Sequence, residues 1–264
     1  MGANGRSDAA ANLTYTKFLF VLPAADDAAT LTKIRGAGAN ISRVFFNDYD
    51  ADGTRDPQPQ ETIQFLSADP VAASAQGIGA ARFVAHVTAN YRPRLDEVAN
   101  DLTRKVNGAA EVIVLDGAER MPRYTSAEMQ KFAYKPALAR QSGRMARNCV
   151  IVPMNKTAAW WEKSALERHS YFYPHHSDGS GCPVKGHAKA AEAGISKVFR
   201  RLYHNPDGYQ RPNEFDFITY FECTDENLPV FDEICRSLRD HQQNPEWGYV
   251  VEGPEWRGKR VLRW

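Results

Sequence analysis

Two stretches of the chain share one order of apolar and polar positions. In residues 82–102 and again in residues 216–238, a run of β-branched and aromatic residues is followed by a polar loop and then by apolar positions at helical spacing. Another apolar strand that leads into a helix precedes each stretch, starting near Tyr15 and near Asn148. The pattern predicts two halves of similar fold, divided near the polar residues 134–148.

Two strand–helix halves of this kind favour an α+β fold. We expect two ferredoxin-like repeats whose sheets pack together as a dimeric α+β barrel-type fold within one chain. The predicted organisation is a flexible N-terminal tail over residues 1–14, an N-terminal ferredoxin-like half over 15–140 and a C-terminal half over 141–264. We expect the C-terminal half to carry the chemistry, for the reasons given below.

Charge and hydropathy exclude several classes of function. The chain has 33 basic and 32 acidic residues, so no strong field would favour nucleic acid or a membrane surface. No run of about 18 apolar residues is present, and the N-terminus lacks the apolar core of a signal peptide. We expect a cytoplasmic protein with no nucleic-acid or membrane partner, or a periplasmic one if a leader was removed.

The cysteines and one acidic segment carry little chemistry of their own. Cys149 and Cys223 fall in predicted strands and Cys235 in a predicted helix, with no CxxC pair, which indicates small buried apolar residues. The segment DYDADGTRD imitates the start of a calcium loop, but the glutamate that should close such a loop is absent. We interpret that segment as an acidic hairpin turn.

The composition changes between residues 160 and 204. This segment contains two adjacent tryptophans, Cys182 and five of the seven histidines. Three interpretations are open: a metal ion held by His and Cys, a haem with one axial histidine, or a histidine-rich surface loop. An alanine-rich helix is predicted from His187 to about Gly194, and a strand follows it. Arg200 lies thirteen residues after His187, so a helix and a returning strand could place one residue on each side of a flat ligand.

Three motifs in the C-terminal half resemble the chlorite dismutase family of haem b proteins. They are CVIVPMNKTAAWW at 149–161, HAKAAEAGISKVFRRLYH at 187–204 and DFITYFE at 216–222. Weaker echoes are RFVAHVTA and PRYTS in the N-terminal half. The two ferredoxin-like halves of that family agree with the repeat read from the hydrophobic pattern.

The resemblance implies a role for four residues around an iron atom. His187 would be the proximal ligand of a haem b iron, and Arg200 the distal arginine with Arg201 as its surface-facing neighbour. A carboxylate should accept the second N–H of the imidazole, and Glu246 is the candidate. The resemblance also implies that Lys156, Trp160 and Tyr124 hold or wall the haem near its propionates, with Trp161 packed nearby.

The implied activity is the decomposition of chlorite to chloride and dioxygen. A guanidinium over the iron suits it, because it is always charged and offers several donors to an anionic substrate and to the hypochlorite formed from it. Alternatives are a related haem enzyme that uses another oxidant such as peroxide, and a haem-binding or sensing protein without turnover. A coproporphyrin-decarboxylating branch lacks the distal arginine, so Arg200 counts against it. By analogy with longer family members we expect a homo-oligomer, in the form of a homopentamer.

Two features depart from the family pattern. Phe199 precedes the distal arginine where chlorite-degrading members usually have lysine, and about a dozen additional residues lie between Trp161 and His187. The additional residues are roughly SYFYPHHSDGSGC at 170–182, and they include His175, His176 and Cys182. They could form a solvated loop, hold a second metal, or act as a lid that changes the substrate.

Overall fold

The computed structural model describes residues 13–47, 49, 61–68, 76–120, 127–129, 131, 143–176 and 183–264. The strands are β1 Tyr15–Pro23, β2 Phe46–Asn47, β3 Thr62–Ala68, β4 Phe83–Ala89, β5 Ala110–Glu119, β6 Asn148–Lys156, β7 His175–His176, β8 Pro183–Val184, β9 Phe199–His204, β10 Phe217–Cys223, β11 Val250–Glu252 and β12 Trp256–Val261. The helices are α1 Ala28–Ile41, α2 Arg92–Val106, α3 Ala127–Met129, α4 Ala158–Glu162, α5 Ala165–Ser170, α6 Gly186–Ala190 and α7 Leu228–Arg239. Within these described ranges, no helix is both long and apolar enough to cross a bilayer.

Each half of the chain is a ferredoxin-like unit. In the N-terminal half, β1, β3, β4 and β5 pair antiparallel in the order β5-β1-β4-β3, with α1 and α2 as the two connecting helices. In the C-terminal half, β6, β9, β10 and β12 pair in the order β9-β10-β6-β12, and α7 is the second helix. The predicted α+β fold with two repeats is therefore confirmed, and the repeated segments 82–102 and 216–238 are equivalent strand–helix units.

The two sheets join into one closed ring of eight strands. β5 pairs with β9 at one junction, and β12 pairs with β3 at the other. The fourth strand of each half thus bonds to the second strand of the other half, which gives the ring an approximate two-fold arrangement. Closure satisfies the backbone groups that an open sheet would expose at its edges.

Apolar side chains form one core inside the ring and one outside each half. The interior core contains Phe18, Phe20, Ile151 and Trp256, all at most 1% exposed. The outer face of the N-terminal sheet is covered by α1 and α2, whose apolar positions form a continuous core with β1, β3 and β4. On the C-terminal sheet, α7 covers only part of the outer face.

The difference between the halves is in the first connection. The connection from β1 to β3 contains the fourteen-residue helix α1, whereas the connection from β6 to β9 is divided into the short helices α4, α5 and α6. A divided connection covers a sheet less completely than one long helix. It leaves part of the outer face of β6, β9 and β10 open as a cleft.

A buried ion pair lies inside the ring. Arg260 of β12 donates to Glu222 of β10 (3.2 Å), and both side chains are at most 1% exposed. Tyr220 also donates to Glu222 (2.7 Å), and Gln64 of β3 completes the contacts from the other half. A buried charge without its partner costs several kcal/mol, so this cluster constrains how the two halves assemble.

We expect Arg260→Met to lower the free energy of unfolding by about 3–5 kcal/mol, because it removes the cation from a carboxylate that stays buried. The double variant Glu222→Gln/Arg260→Met should recover part of the loss. Urea titration measures both values. In the matched control Arg104→Met, the exposed pair with Asp101 should contribute less than about 1 kcal/mol, and an equally small loss for Arg260→Met would contradict the expectation.

Candidate functional site

The cleft on the outer face of the C-terminal sheet contains about 760 Å³ of empty space, counting the part that is open to solvent. Its walls combine apolar side chains with seven polar or charged ones. The apolar lining from the sheet consists of Val152, Met154, Leu202, Phe217 and Phe221. The polar groups are Lys156, His187, Arg200, Thr219, Glu246, Arg239 and Glu252. An apolar cavity with a few convergent polar side chains is typical of a ligand site.

The helix that carries His187 is shorter than predicted. An α-helical turn spans Gly186–Ala190 and a 3-10 turn follows at Glu192–Gly194, where the sequence predicted one helix to about Gly194. Small residues let these turns lie directly on α7. A Cβ at Gly194 would lie 2.0 Å from the Ile234 side chain, so the backbone approaches α7 as closely as glycine allows.

Glu246 lies between His187 and Lys156. Its Oε2 is 2.8 Å from His187 Nδ1, at ion-pair distance although the two atoms do not form an aligned hydrogen bond. Lys156 Nζ donates to Glu246 Oε1 at 2.6 Å, and both of those side chains are at most 5% exposed. The structure thus brings together three of the residues that the resemblance singled out.

The charge state of Glu246 follows from these neighbours. Burial alone would raise the pKa of its carboxyl, but the charge of Lys156 and the interaction with His187 outweigh burial and lower the pKa to about 2. Glu246 is therefore ionised at neutral pH and accepts hydrogen bonds. An ionised partner favours the His187 tautomer that carries its proton on Nδ1, which leaves the Nε2 lone pair facing the cleft.

Lys156 makes two contacts in addition to its ion pair with Glu246. Its backbone N–H donates to the buried Asp216 (2.9 Å), and its Nζ lies 4.1 Å from the centroid of the Trp160 ring. Trp160 is 0% exposed, and it supports Lys156 from behind rather than lining the cleft. Trp161 stacks on Tyr209 and on Phe217, and only Phe217 of these lines the cleft. Tyr124 lies outside the described residues, so its predicted role stays a prediction.

Arg200 points out of the barrel and into the cleft. Its Nη1 is 3.5 Å from His187 Nε2, so in this conformation the two groups touch instead of lying on opposite sides of an open gap. The expectation that Arg201 faces the surface is wrong. Its side chain is 13% exposed and forms an ion pair with Glu119, because successive residues of a strand point to opposite faces of the sheet.

Phe199 also lies on the face opposite Arg200. It is 4% exposed and belongs to the core inside the ring, under the Arg201 guanidinium. Its departure from the family's usual lysine therefore does not change the lining of the cleft.

The additional residues before His187 contribute an aromatic side chain. Phe172 is 2% exposed and lines the cleft, and its ring stacks on the His187 imidazole with centroids 5.0 Å apart. Further on, the short strands β7 and β8 form a hairpin, while Cys182 lies outside the described residues. Sequence reasoning missed Phe172. It also missed Thr219 and Phe221, although the alternation along DFITYFE could have placed both beside Phe217 on one face.

The alternative of a His/Cys metal site finds no support in the described part of the chain. No group of three or more His, Cys, Asp or Glu side chains lies there in an arrangement that could hold a metal ion. Cys149, Cys223 and Cys235 are not joined in a disulfide, and burial raises the pKa of Cys223 and of Cys235 to about 11. These two thiols are protonated at neutral pH, which disfavours metal binding and nucleophilic chemistry.

No family model matches the sequence. Solved structures nevertheless show that the chain has the fold of the chlorite dismutases. One is the chlorite dismutase from Candidatus Nitrospira defluvii in complex with imidazole, which is 17% identical with a TM-score of 0.65 over 94% of this chain and 91% of that chain.

Two further structures agree with it. A mutant of the same enzyme in complex with cyanide is 16% identical, with a TM-score of 0.64 over 94% of this chain and 90% of that chain. A candidate chlorite dismutase is 13% identical, with a TM-score of 0.62 over 94% of this chain and 95% of that chain. At these identities the similarity establishes the fold.

We expect Glu246→Gln to lower the free energy of unfolding by about 3–5 kcal/mol at pH 7, because it leaves Lys156 buried without its anion. The folded-state pKa of Glu246 is depressed from the ordinary 4.5 to about 2. The stabilisation is therefore complete above about pH 5 and is lost as the pH falls towards 2. Urea titrations at several pH values measure it. The exposed control Glu233→Gln should show no such pH-dependent difference from the wild type, and a Glu246→Gln difference that is constant with pH would contradict the assignment.

Proposed function

We propose that this protein binds haem b through His187 and decomposes chlorite to chloride and dioxygen, with Arg200 as the group that binds the anion. The observation that carries the proposal is the series of contacts from Lys156 through Glu246 to His187 at the wall of an apolar cleft. The polypeptide that contains it has the chlorite dismutase fold. The same arrangement would also serve a haem protein that uses another oxidant or only binds haem. Oxygen evolution from chlorite distinguishes these functions.

The residues present fit a haem in two respects. Most of the side chains that the sheet contributes to the cleft are apolar, as a porphyrin requires. His187 offers Nε2 to the cleft while Glu246 occupies Nδ1, which is the arrangement expected of a metal-bound histidine. Arg200 would have to turn away from Nε2, because a metal ion at about 2 Å from that nitrogen would collide with its present position.

The bound haem would supply a redox-active iron for oxygen-atom transfer. The residues of this chain would set the conditions for that chemistry. Glu246, whose Oε2 lies 2.8 Å from His187 Nδ1, would favour a proton on that nitrogen, and Lys156 shares the carboxylate charge, which would limit how far the proton moves towards Glu246. Arg200 supplies a permanent positive charge beside the apolar wall formed by Leu202 and Phe221. In such surroundings a guanidinium would attract an anion such as chlorite strongly and would retain an anionic product in the cleft.

The assembly and the location remain open to direct measurement. From the sequence we propose a homo-oligomer, with a homopentamer as the specific form, and a cytoplasmic or periplasmic location. Analytical ultracentrifugation of the purified protein tests the first of these.

We expect His187→Ala to lose the Soret absorbance that the wild type develops when haem is added, because the variant lacks the imidazole that would bind the iron. Absorbance during a haem titration measures this. The matched control is His175→Ala, since His175 lies in the hairpin with its Nδ1 on the Tyr173 carbonyl. An unchanged Soret band in His187→Ala together with its loss in His175→Ala would reverse the ligand assignment.

We expect Arg200→Ala to keep the haem spectrum but to lose about 10²–10³-fold in chlorite turnover, the usual effect of removing a preorganised donor. It should also bleach faster, because the hypochlorite escapes more readily. An oxygen electrode measures the turnover. Arg201→Ala is the control, since that neighbour points to the opposite face of the sheet, and an equal loss in both variants would contradict the role of Arg200. A wild type with a normal haem spectrum and no oxygen evolution would rule out the chlorite reaction and leave haem binding in place.

A further inference from the structure

The orientation of the His187 imidazole depends on more than Glu246. The carboxylate touches the ring at one edge, through Nδ1, and that contact is an ion pair without hydrogen-bond alignment. Arg200 Nη1 also touches the edge of the ring, 3.5 Å from Nε2. Contacts at the edge alone restrain a ring less than edge and face contacts together. The face contact is supplied by Phe172, whose ring stacks on the imidazole with an angle of 29° between the two planes and 5.0 Å between their centroids.

Phe172 is itself fixed by the turn in which it lies. Ser164 and Glu167 form a capping box that starts α5, which ends at Ser170. The Phe172 backbone N–H then donates to the carbonyl of His169 (3.1 Å). The aromatic side chain therefore follows a short, well-capped helix and has little freedom to move away from the cleft.

Two backbone hydrogen bonds tie this turn to the start of α6. The N–H of His187 donates to the carbonyl of Tyr171 (2.9 Å), and the N–H of Ala188 donates to the carbonyl of Phe172 (3.2 Å). The residue that stacks on the imidazole is thus bonded, through its backbone, to the residue that follows the imidazole in sequence. Neither segment can shift without breaking these bonds.

Gly186 makes the close approach possible. Its φ of +67° lies in the left-handed region, and a Cβ there would lie 2.4 Å from the carbonyl oxygen of Tyr173. The N–H groups of Lys185 and Gly186 donate to the carbonyl of Gln243 (2.9 and 3.1 Å), three residues before Glu246. The Phe172 turn, the His187 turn and the Glu246 segment are therefore joined by their backbones.

We propose that Phe172 is a positioning residue for His187. Its ring covers one face of the imidazole and fixes the rotation of that ring, so that Nε2 points into the cleft while Nδ1 faces Glu246. The consequence for iron binding rests on the function proposed above, whereas the restraint on the imidazole does not. Phe172 is one of the additional residues between Trp161 and His187, so that segment would contribute to the site.

The first test uses the haem-free protein. Histidine labelled with ¹³C gives the order parameter of the His187 ring by relaxation, and we expect a rigid value near 0.85 in the wild type, falling to about 0.6 or below in Phe172→Leu. Leucine keeps an apolar side chain at the position but has no flat face. The control is Phe65→Leu, since Phe65 is equally buried and packs on Trp264 in the other half.

The second test uses the haem-loaded protein. We expect Phe172→Leu to bind haem about 10–100-fold more weakly, as is usual when a residue that orients a metal ligand is removed, and to broaden the iron–histidine stretching band in resonance Raman spectra. Phe65→Leu should leave both unchanged. If Phe172→Leu does not fold, Phe172→Met takes its place, because methionine fills irregular space with little strain.

The outcomes separate this inference from the proposed function. A mobile His187 ring in the wild type, or a ring equally rigid in Phe172→Leu, would overturn the positioning role. A wild type that binds no haem would overturn the proposed function, and the relaxation measurement would still decide the role of Phe172. Loss of rigidity in Phe65→Leu as well would show that general loosening of the core, rather than the stacking contact, controls the ring.

Discussion

Closure of the eight-stranded ring is the constraint on which the rest of this structure depends. The ring closes because each half pairs its fourth strand with the second strand of the other half. The interior contains apolar side chains from both halves, together with the buried pair Glu222 and Arg260. The cleft described above lies on the outer face of the ring.

Which outer face remains open is decided by the helices. In the N-terminal half, two long amphipathic helices seal the sheet with an apolar core. In the C-terminal half, the first helix is divided, and the short helices α4–α6 bring polar and aromatic residues to the edge of an uncovered area. The repeat therefore has one half that stabilises the fold and one half that can carry chemistry. The C-terminal half also buries the carboxylate of Glu246. Its burial is tolerated because Lys156 and His187 both lie at ion-pair distance from it.

Much of this arrangement could be predicted from the sequence. The alternation and helical spacing in residues 82–102 and 216–238 predicted the repeat. Periods of two and of 3.6 residues can be detected in one sequence, because they follow directly from strand and helix geometry. Glu246 was named as the partner of His187 from the family resemblance, and the structure shows the contact. The close approach of Gly186 to the Tyr173 carbonyl and the stacking of Phe172 on His187 could not be predicted. Both contacts depend on how two turns that are separate in sequence pack against each other.

The wrong expectation for Arg201 and the unexpected position of Phe199 have one physical cause. Arg200 and Arg201 are adjacent in sequence and look like a single basic feature, but a strand directs them to opposite faces, one to the cleft and the other to Glu119. Phe199 lies on the Arg201 side for the same reason. Neighbouring positions along this strand therefore lie in two different environments, the cleft and the interior of the ring. Leu202 on the same strand and Phe217, Thr219 and Phe221 on the next share a face with Arg200, and differences there, rather than at Phe199, would alter what the cleft can bind.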